Sequence, residues 1–355
     1  IAQEETPMKF YTGQHDFYCG IDLHARSMYL CILNKEAQIV LHKNMASAPE
    51  PFLAAIAPYR DNLVVGVECM FCWYWMADLC AKEQIAFILG HALYMKAIHG
   101  GKAKNDKIDA HKIAGLMRGG MFPQAYVYPS EMRSTRDLLR RRMYLVRQRA
   151  DLLAHIHNTN SQYNLPVIGQ PITRKKHRGG VAERFTDLQV QQSVQLDFGL
   201  IEYLDKALHE VELTITRLAK QHDPAAFALL RSVHGIGPIL ALVILYEIHI
   251  IARFPSVQQF ASYSRLVKCA KESAGKLYGF SGKKIGNAFL KWAFSEAAVG
   301  FLRANPPAQK YHARLVRKYG KGKALSIIAH RLGRAVYHML INGKPFDEGL
   351  FFKST

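Results

Sequence analysis

The stretch "FYCGIDLH", residues 17–24, decides how the first third of this chain is read. It reads as a β-strand that runs up to a carboxylate, Asp22. "SMYLCIL" (27–33) and "AQIVLHK" (37–43) follow it as an antiparallel meander. A short helix near Pro51 to Tyr59 leads to "NLVVGVE" (62–68), an unbroken apolar run of the kind found in buried strands. An aromatic-rich helix from Phe71 to Lys82, a strand at "IAFIL" (85–89) and a helix beginning near Asn105 complete the block. Strand, hairpin, strand, helix, strand, helix predicts an α/β domain with a mixed central sheet.

Asp22 closes the first strand and Glu68 closes the fourth. Ends of neighbouring strands are where open α/β sheets place ligands. Two more acids, Asp106 and Asp109, stand three apart in "KNDKIDAHK" (104–112), so both lie on one face of a helix start. Acids in a first turn are ordinary punctuation, because they complement the helix dipole. Four carboxylates converging at one sheet edge, however, offer the oxygen ligands that magnesium takes. Two such ions can stabilise the attacking and leaving oxygens of phosphoryl transfer.

Composition supports that chemistry. The 355 residues carry 47 Lys plus Arg against 28 Asp plus Glu, a net charge of +19. Nucleic acid is the partner that such an excess favours. The most apolar run, "ILALVILY" (239–246), stops at Glu247 and is far too short to span a bilayer, so no membrane role is expected. The N-terminus lacks signal-peptide anatomy, so a cytoplasmic protein is expected. Six cysteines, including the "CMFC" pair at Cys69 and Cys72, read as free thiols because no second Cys or His pair follows at zinc spacing.

Beyond the α/β block, Ser130 to about Gln162 reads as one helix. Leu138, Leu145 and Leu152 repeat at seven, as do Leu139, Val146 and Leu153, which predicts a coiled-coil seam. Seven arginines fall between Arg133 and Arg149; with the chain's charge, Arg133, Arg136, Arg140 and Arg141 are expected to meet nucleic acid. The basic loop "RKKHRGG" (174–180) adds Arg174, Lys175 and Lys176, and a second long helix is predicted from Val194 to Lys220. The last block opens with "RSVHGIGPILALVIL" (231–245), the pattern of a helix-hairpin-helix whose Gly235 and Gly237 would offer backbone amides to phosphate. "ESAGK" (272–276) and "GKKIGNAFLKWAF" (282–294) then form a glycine- and lysine-rich loop running into a helix, with Lys276, Lys283 and Lys284 as further contacts.

These motifs together resemble the insertion-sequence 110 family of transposases, whose relatives include the pilin-gene DNA invertases. The resemblance runs from about Phe17 to Gly343. It implies a ribonuclease-H-like (RuvC-like) DEDD domain over 1–129, a coiled-coil region with a basic loop over 130–222, and a mostly helical transposase domain over 223–355. Asp22, Glu68, Asp106 and Asp109 match the family's four acids, "ESAGK" makes Ser273 the nucleophile, and Ser281 is its local competitor. The family commonly has Ser-Ser-Gly-Gly-Lys where this chain has Glu272 to Lys276, and a proline where it has Lys268. The resemblance further implies magnesium, two ions per site, double-stranded donor and target DNA, and a guide (bridge) RNA. It also implies a homo-oligomer, dimer or tetramer, in which acids and serine can come from different protomers.

Three functions compete at this point. A DNA recombinase, transposing an element or inverting a segment, uses every motif. A metal-dependent Holliday-junction nuclease uses the acids and leaves Ser273 unexplained. An architectural binder leaves all four acids unexplained.

Overall fold

The computed structural model describes residues 9–98, 105–219, 223–273, 275–281 and 285–353. The chain forms two compact units, 1–131 and 132–355. In the first, a two-residue strand β1 (Phe10–Tyr11) precedes the meander β2 (Phe17–Leu23), β3 (Ser27–Asn34) and β4 (Ile39–Ala46). Helix α1 (Pro49–Ile56), β5 (Leu63–Glu68), α2 (Trp73–Lys82), β6 (Ala86–Gly90), α3 (Ala92–Ile98), α4 (Asp106–Arg118) and β7 (Phe122–Pro123) follow. Five strands make one sheet in the order β4-β3-β2-β5-β6, with β2, β5 and β6 parallel and the meander antiparallel.

Strand alternation sorts the side chains between two layers. Cys19, Ile21, Leu23, Leu63, Val65 and Val67 pack with Phe52 of α1 and Trp73, Met76 and Cys80 of α2. Tyr18 and Val64 pack on the opposite side, with Ile113, Leu116 and Met117 of α4. Two glycines let α4 approach this face. A Cβ at Gly20 would overlap the backbone at Ala110 and Ala114, and one at Gly66 would overlap the Met117 side chain.

The second unit begins on α5 (Ser130–Gln162), which covers the predicted range, and α6 (Leu188–Ala219). Helix α6 starts earlier than the apolar spacing implies, because Asp187 accepts from the Gln189 and Val190 amides and caps it there. The two helices are antiparallel: Arg142 pairs with Glu212 at 2.6 Å, Arg149 with Asp205 at 2.5 Å and His155 with Asp197 at 2.6 Å. Of the predicted seam, Leu139 and Leu153 are buried.

Helices α7 (Pro224–Arg231), α8 (Pro238–Ile248), α9 (Val257–Tyr263), α10 (Ala288–Phe301), α11 (Pro306–Tyr319), α12 (Lys321–Asn342) and α13 (Glu348–Lys353) complete the unit, with a hairpin of β8 (Cys269–Ser273) and β9 (Lys276–Ser281) after α9. Helix α8 is the centre of the core, buried from Ala241 to Ile248. Among those apolar neighbours Glu247 is 2% exposed. Its carboxylate accepts from Arg136 at 3.1 Å, from Arg140 at 2.7 and 3.0 Å, and from the Asn287 amide at 2.8 Å.

Burial alone pushes the Glu247 carboxyl up, but Arg140, Arg136 and Asn287 together outweigh it and hold it below the usual range. Its contribution is therefore in place above the ordinary glutamate range and is lost as pH falls through the lowered value. Removing one partner of such a cluster strands the others. Glu247→Ala is expected to destabilise the second unit by about 3–5 kcal/mol, because two arginines lose their buried counter-charge. Urea unfolding checks this, and a change under 1 kcal/mol would refute it.

Candidate active site

Asp22 and Glu68 stand side by side. The parallel register pairs Ile21 with Val67, so the next residue on each strand carries an acid on the α4 face. Helix α4 supplies the other two. Its N-cap is Asn105, whose side chain accepts from the Ile108 amide at 2.8 Å. Punctuation therefore falls to Asn105, and Asp106 is left to face the strand ends. The side chain of His24, two residues beyond Asp22 on the same face, lies between them: its Nε2 is 3.4 Å from Asp22 and 3.6 Å from Asp106. Asp109 lies 3.3 Å from Lys112. Burial raises the Asp22 carboxyl above its ordinary value; His24 opposes the shift, while the charges of Asp106 and Asp109 add to it.

Asp22, His24 and Asp106 place one ligand atom each within 4.8 Å of one another. The donor set is oxygen-rich, which fits a hard divalent ion. His24 was missed in the sequence, although its i, i+2 spacing from Asp22 on a strand was visible there.

Residues 19–164 match a family model for transposases of the DEDD type, and residues 227–313 match one described as the IS116/IS110/IS902 transposase family. The chain belongs to the IS110 family of transposases. It is similar to a protein named "Probable family 20 transposase" from Pseudomonas aeruginosa, 23% identical over 298 residues, covering 80% of this chain and 83% of that one. A Streptomyces coelicolor protein, "Insertion element IS110 uncharacterized 43.6 kDa protein", is 28% identical over 152 residues, 42% of this chain and 36% of that one. The transposase is thus an enzyme acting on DNA, and its DEDD domain carries a general dependence on divalent metal.

The other predicted residues fall out differently. On the hairpin of the transposase, backbone pairing runs from Cys269–Ser281 at the base to Ser273–Lys276 at the turn, where Gly275 takes φ +72°. The side chains of Ser273 and Ser281, and all of Lys283 and Lys284, lie outside the described residues. Lys276 is exposed.

On the arginine helix, Arg133 and Arg136 are 6% and 8% exposed and Arg136 binds Glu247, so these two are turned inward, against expectation. Arg140 also binds Glu247 and keeps 33% of its side chain exposed. Arg141, stacked on Tyr144, and Arg147 are exposed. In the basic loop, buried Arg178 binds Asp205 at 2.7 Å, while Arg174, Lys176 and Lys175, the last 3.3 Å from Glu202, are exposed. Gly235, at φ +90°, is required by packing, since a Cβ there would overlap the backbone of Gly300 and Phe301. Gly237 remains at the start of α8 as its N-cap. No helix of the described residues is long and apolar enough to cross a membrane. Five of the cysteines are free thiols, three of them buried, and the Cys269 side chain lies outside the described residues.

Proposed function

We propose that this transposase cuts and rejoins DNA through Ser273, with two magnesium ions at Asp22, Glu68, Asp106 and Asp109 and with a guide RNA selecting the DNA. The approach of Asp22 and Asp106 about His24 at the start of α4 carries the reading. In a chain of net charge +19, a knot of carboxylates would only weaken nucleic-acid binding unless it held cations. The ions would neutralise the scissile phosphate and stabilise the attacking and leaving oxygens. Ser273 Oγ loses its proton and bonds to phosphorus as one P–O ester bond of the DNA breaks; the departing strand oxygen takes up a proton. A hydroxyl from the new partner strand then displaces the serine, so the ester bond is conserved. Transposition and inversion share this chemistry.

Asp22→Asn is expected to abolish metal-dependent strand cleavage and to spare DNA binding. A second readout is stability. A raised folded carboxyl costs stability as pH rises through it, so the Asn variant gains Tm at neutral pH in chelator. It also loses the metal-induced rise, on the order of 5 °C at saturating magnesium for the native chain. Full cleavage in excess chelator would overturn the metal reading.

Arg141, Arg174, Lys176, Lys276 and the α8 N-terminus at Gly237 are the phosphate contacts of this reading. Replacing Arg141, Arg174 and Lys176 together with Ala should lower the salt dependence of binding by about 2–3 in the log–log slope, equally for unrelated sequences. An unchanged slope would show that they are only a solvated surface. RNA should copurify with the protein and be lost with the same charges. Leu196, Leu200 and Tyr203, spaced i, i+4, i+7 on α6 and 63%, 53% and 70% exposed, support the homo-oligomer. The protein then works in the cytoplasm on nucleoid DNA.

A further inference from the structure

Glu247 is the single acid of a helix otherwise built for the core. A buried ion cluster is seldom more stable than apolar packing of the same shape, so its use lies in what it fixes. A further hydrogen bond goes to Asn287, six residues beyond the end of β9 and immediately before α10. Asn287 has two ends and uses both. Its Nδ2 donates to Glu247 at 2.8 Å, and its Oδ1 accepts from the Phe289 and Leu290 amides at 2.9 and 3.0 Å, capping α10.

The same residue closes the hairpin's neck. The Asn287 amide donates to the Tyr263 carbonyl at 2.5 Å, and Arg265 Nε donates to the carbonyls of Ile285 and Gly286, both at 2.9 Å. Gly286 sits at φ +86°, where a Cβ would come within 2.5 Å of the Tyr263 carbonyl. Residues 263–265 and 285–287 are thus fastened to each other, and Glu247 fastens that neck to α8. On the far side, Arg136 and Arg140 hold Glu247 to α5, and Arg140 also lies 4.3 Å from the centre of the Phe289 ring.

We propose that Glu247 is a positioning residue for strand joining: through Asn287 it fixes the neck of the hairpin and so the place of Ser273. The inference rests on reading Ser273 as the nucleophile. In the backbone register Ser273 pairs with Lys276 next to the turn, at the opposite end of the ladder from the Cys269–Ser281 pair, so a small rotation at the neck is magnified there. A misplacement near 1 Å can cost about 10²-fold in rate without touching binding.

The test uses the full-length protein with its copurifying RNA and duplex DNA from the flanks of its own gene. The measured quantity is the single-turnover rate of denaturant-stable protein–DNA adduct at saturating DNA. Asn287→Ser keeps a good cap for α10 and removes the donor to Glu247. Glu247→Gln keeps the shape and removes the charge. Each change should slow adduct formation about tenfold or more, while DNA affinity stays within about twofold. If Glu247 acts through Asn287, the double variant is no slower than the worse single one. Amide exchange in residues 269–281 should rise in both variants, with that of β2 and β5 unchanged.

Additive losses would mean that the two residues act separately, and would overturn the proposal. An adduct on Ser273 in the native protein, formed at the same rate by Asn287→Ser, would overturn it alone. A native protein that cleaves DNA with no adduct on Ser273 would overturn the nucleophile reading and this inference with it.

Discussion

A Ser273→Ala transposase binds DNA with native affinity, forms no covalent adduct, and loses cleavage and joining together. One attack starts both steps, so they cannot be separated by removing the attacking oxygen. The expected loss is large, on the order of 10⁴-fold or more, as when a covalent nucleophile is deleted elsewhere. The decisive measurement is a substrate blocked after the first step, digested and analysed by mass spectrometry for phosphate on the "ESAGK" peptide. On the hairpin, Ser273 pairs with Lys276 next to the turn, and Ser281 pairs with Cys269 at the base. An adduct on Ser281 would reassign the nucleophile. Cleavage at the native rate by Ser273→Ala, with no adduct, would make the protein a metal-dependent nuclease.

Gly20→Val is expected to abolish cleavage by a different route. Gly20 stands two residues before Asp22 on the same face, with the backbone of Ala110 and Ala114 against it. A side chain there meets backbone and cannot be accommodated by a rotamer change, so α4 must move. Helix α4 carries Asp106 and Asp109, and an ångström of displacement at a catalytic group costs about 10²-fold. Overpacking adds a stability loss of about 1–3 kcal/mol. Gly66→Ala is milder, because its obstacle is the flexible Met117 side chain. Gly115→Ala, in the same helix with nothing within 4 Å of the added carbon, should instead stabilise by about 0.5–1 kcal/mol and leave cleavage intact. Equal activity for Gly20→Val and the native chain, at matched folded fraction, would disconnect α4 from the chemistry.

What the sequence determined by itself is local. Short apolar runs placed β2, β3 and β5, and the strand ends put Asp22 and Glu68 on neighbouring strands one residue past the Ile21–Val67 pair. The i, i+3 acids marked the start of α4, and the structure places its cap on Asn105. The arginines between Arg133 and Arg149 show where that kind of reading stops. From the chain alone they are a basic face; in the fold, Arg136 and Arg140 answer Glu247, Arg142 answers Glu212 and Arg149 answers Asp205. Those acids lie tens of residues away, on helices whose facing sides are set by packing and not by spacing. The same holds for Gly20 and Gly66, whose need is a helix more than forty residues onward, and for Gly235, whose need is the backbone of Gly300 and Phe301. Charge pairing and close approach depend on which elements meet, and only the tertiary structure decides that.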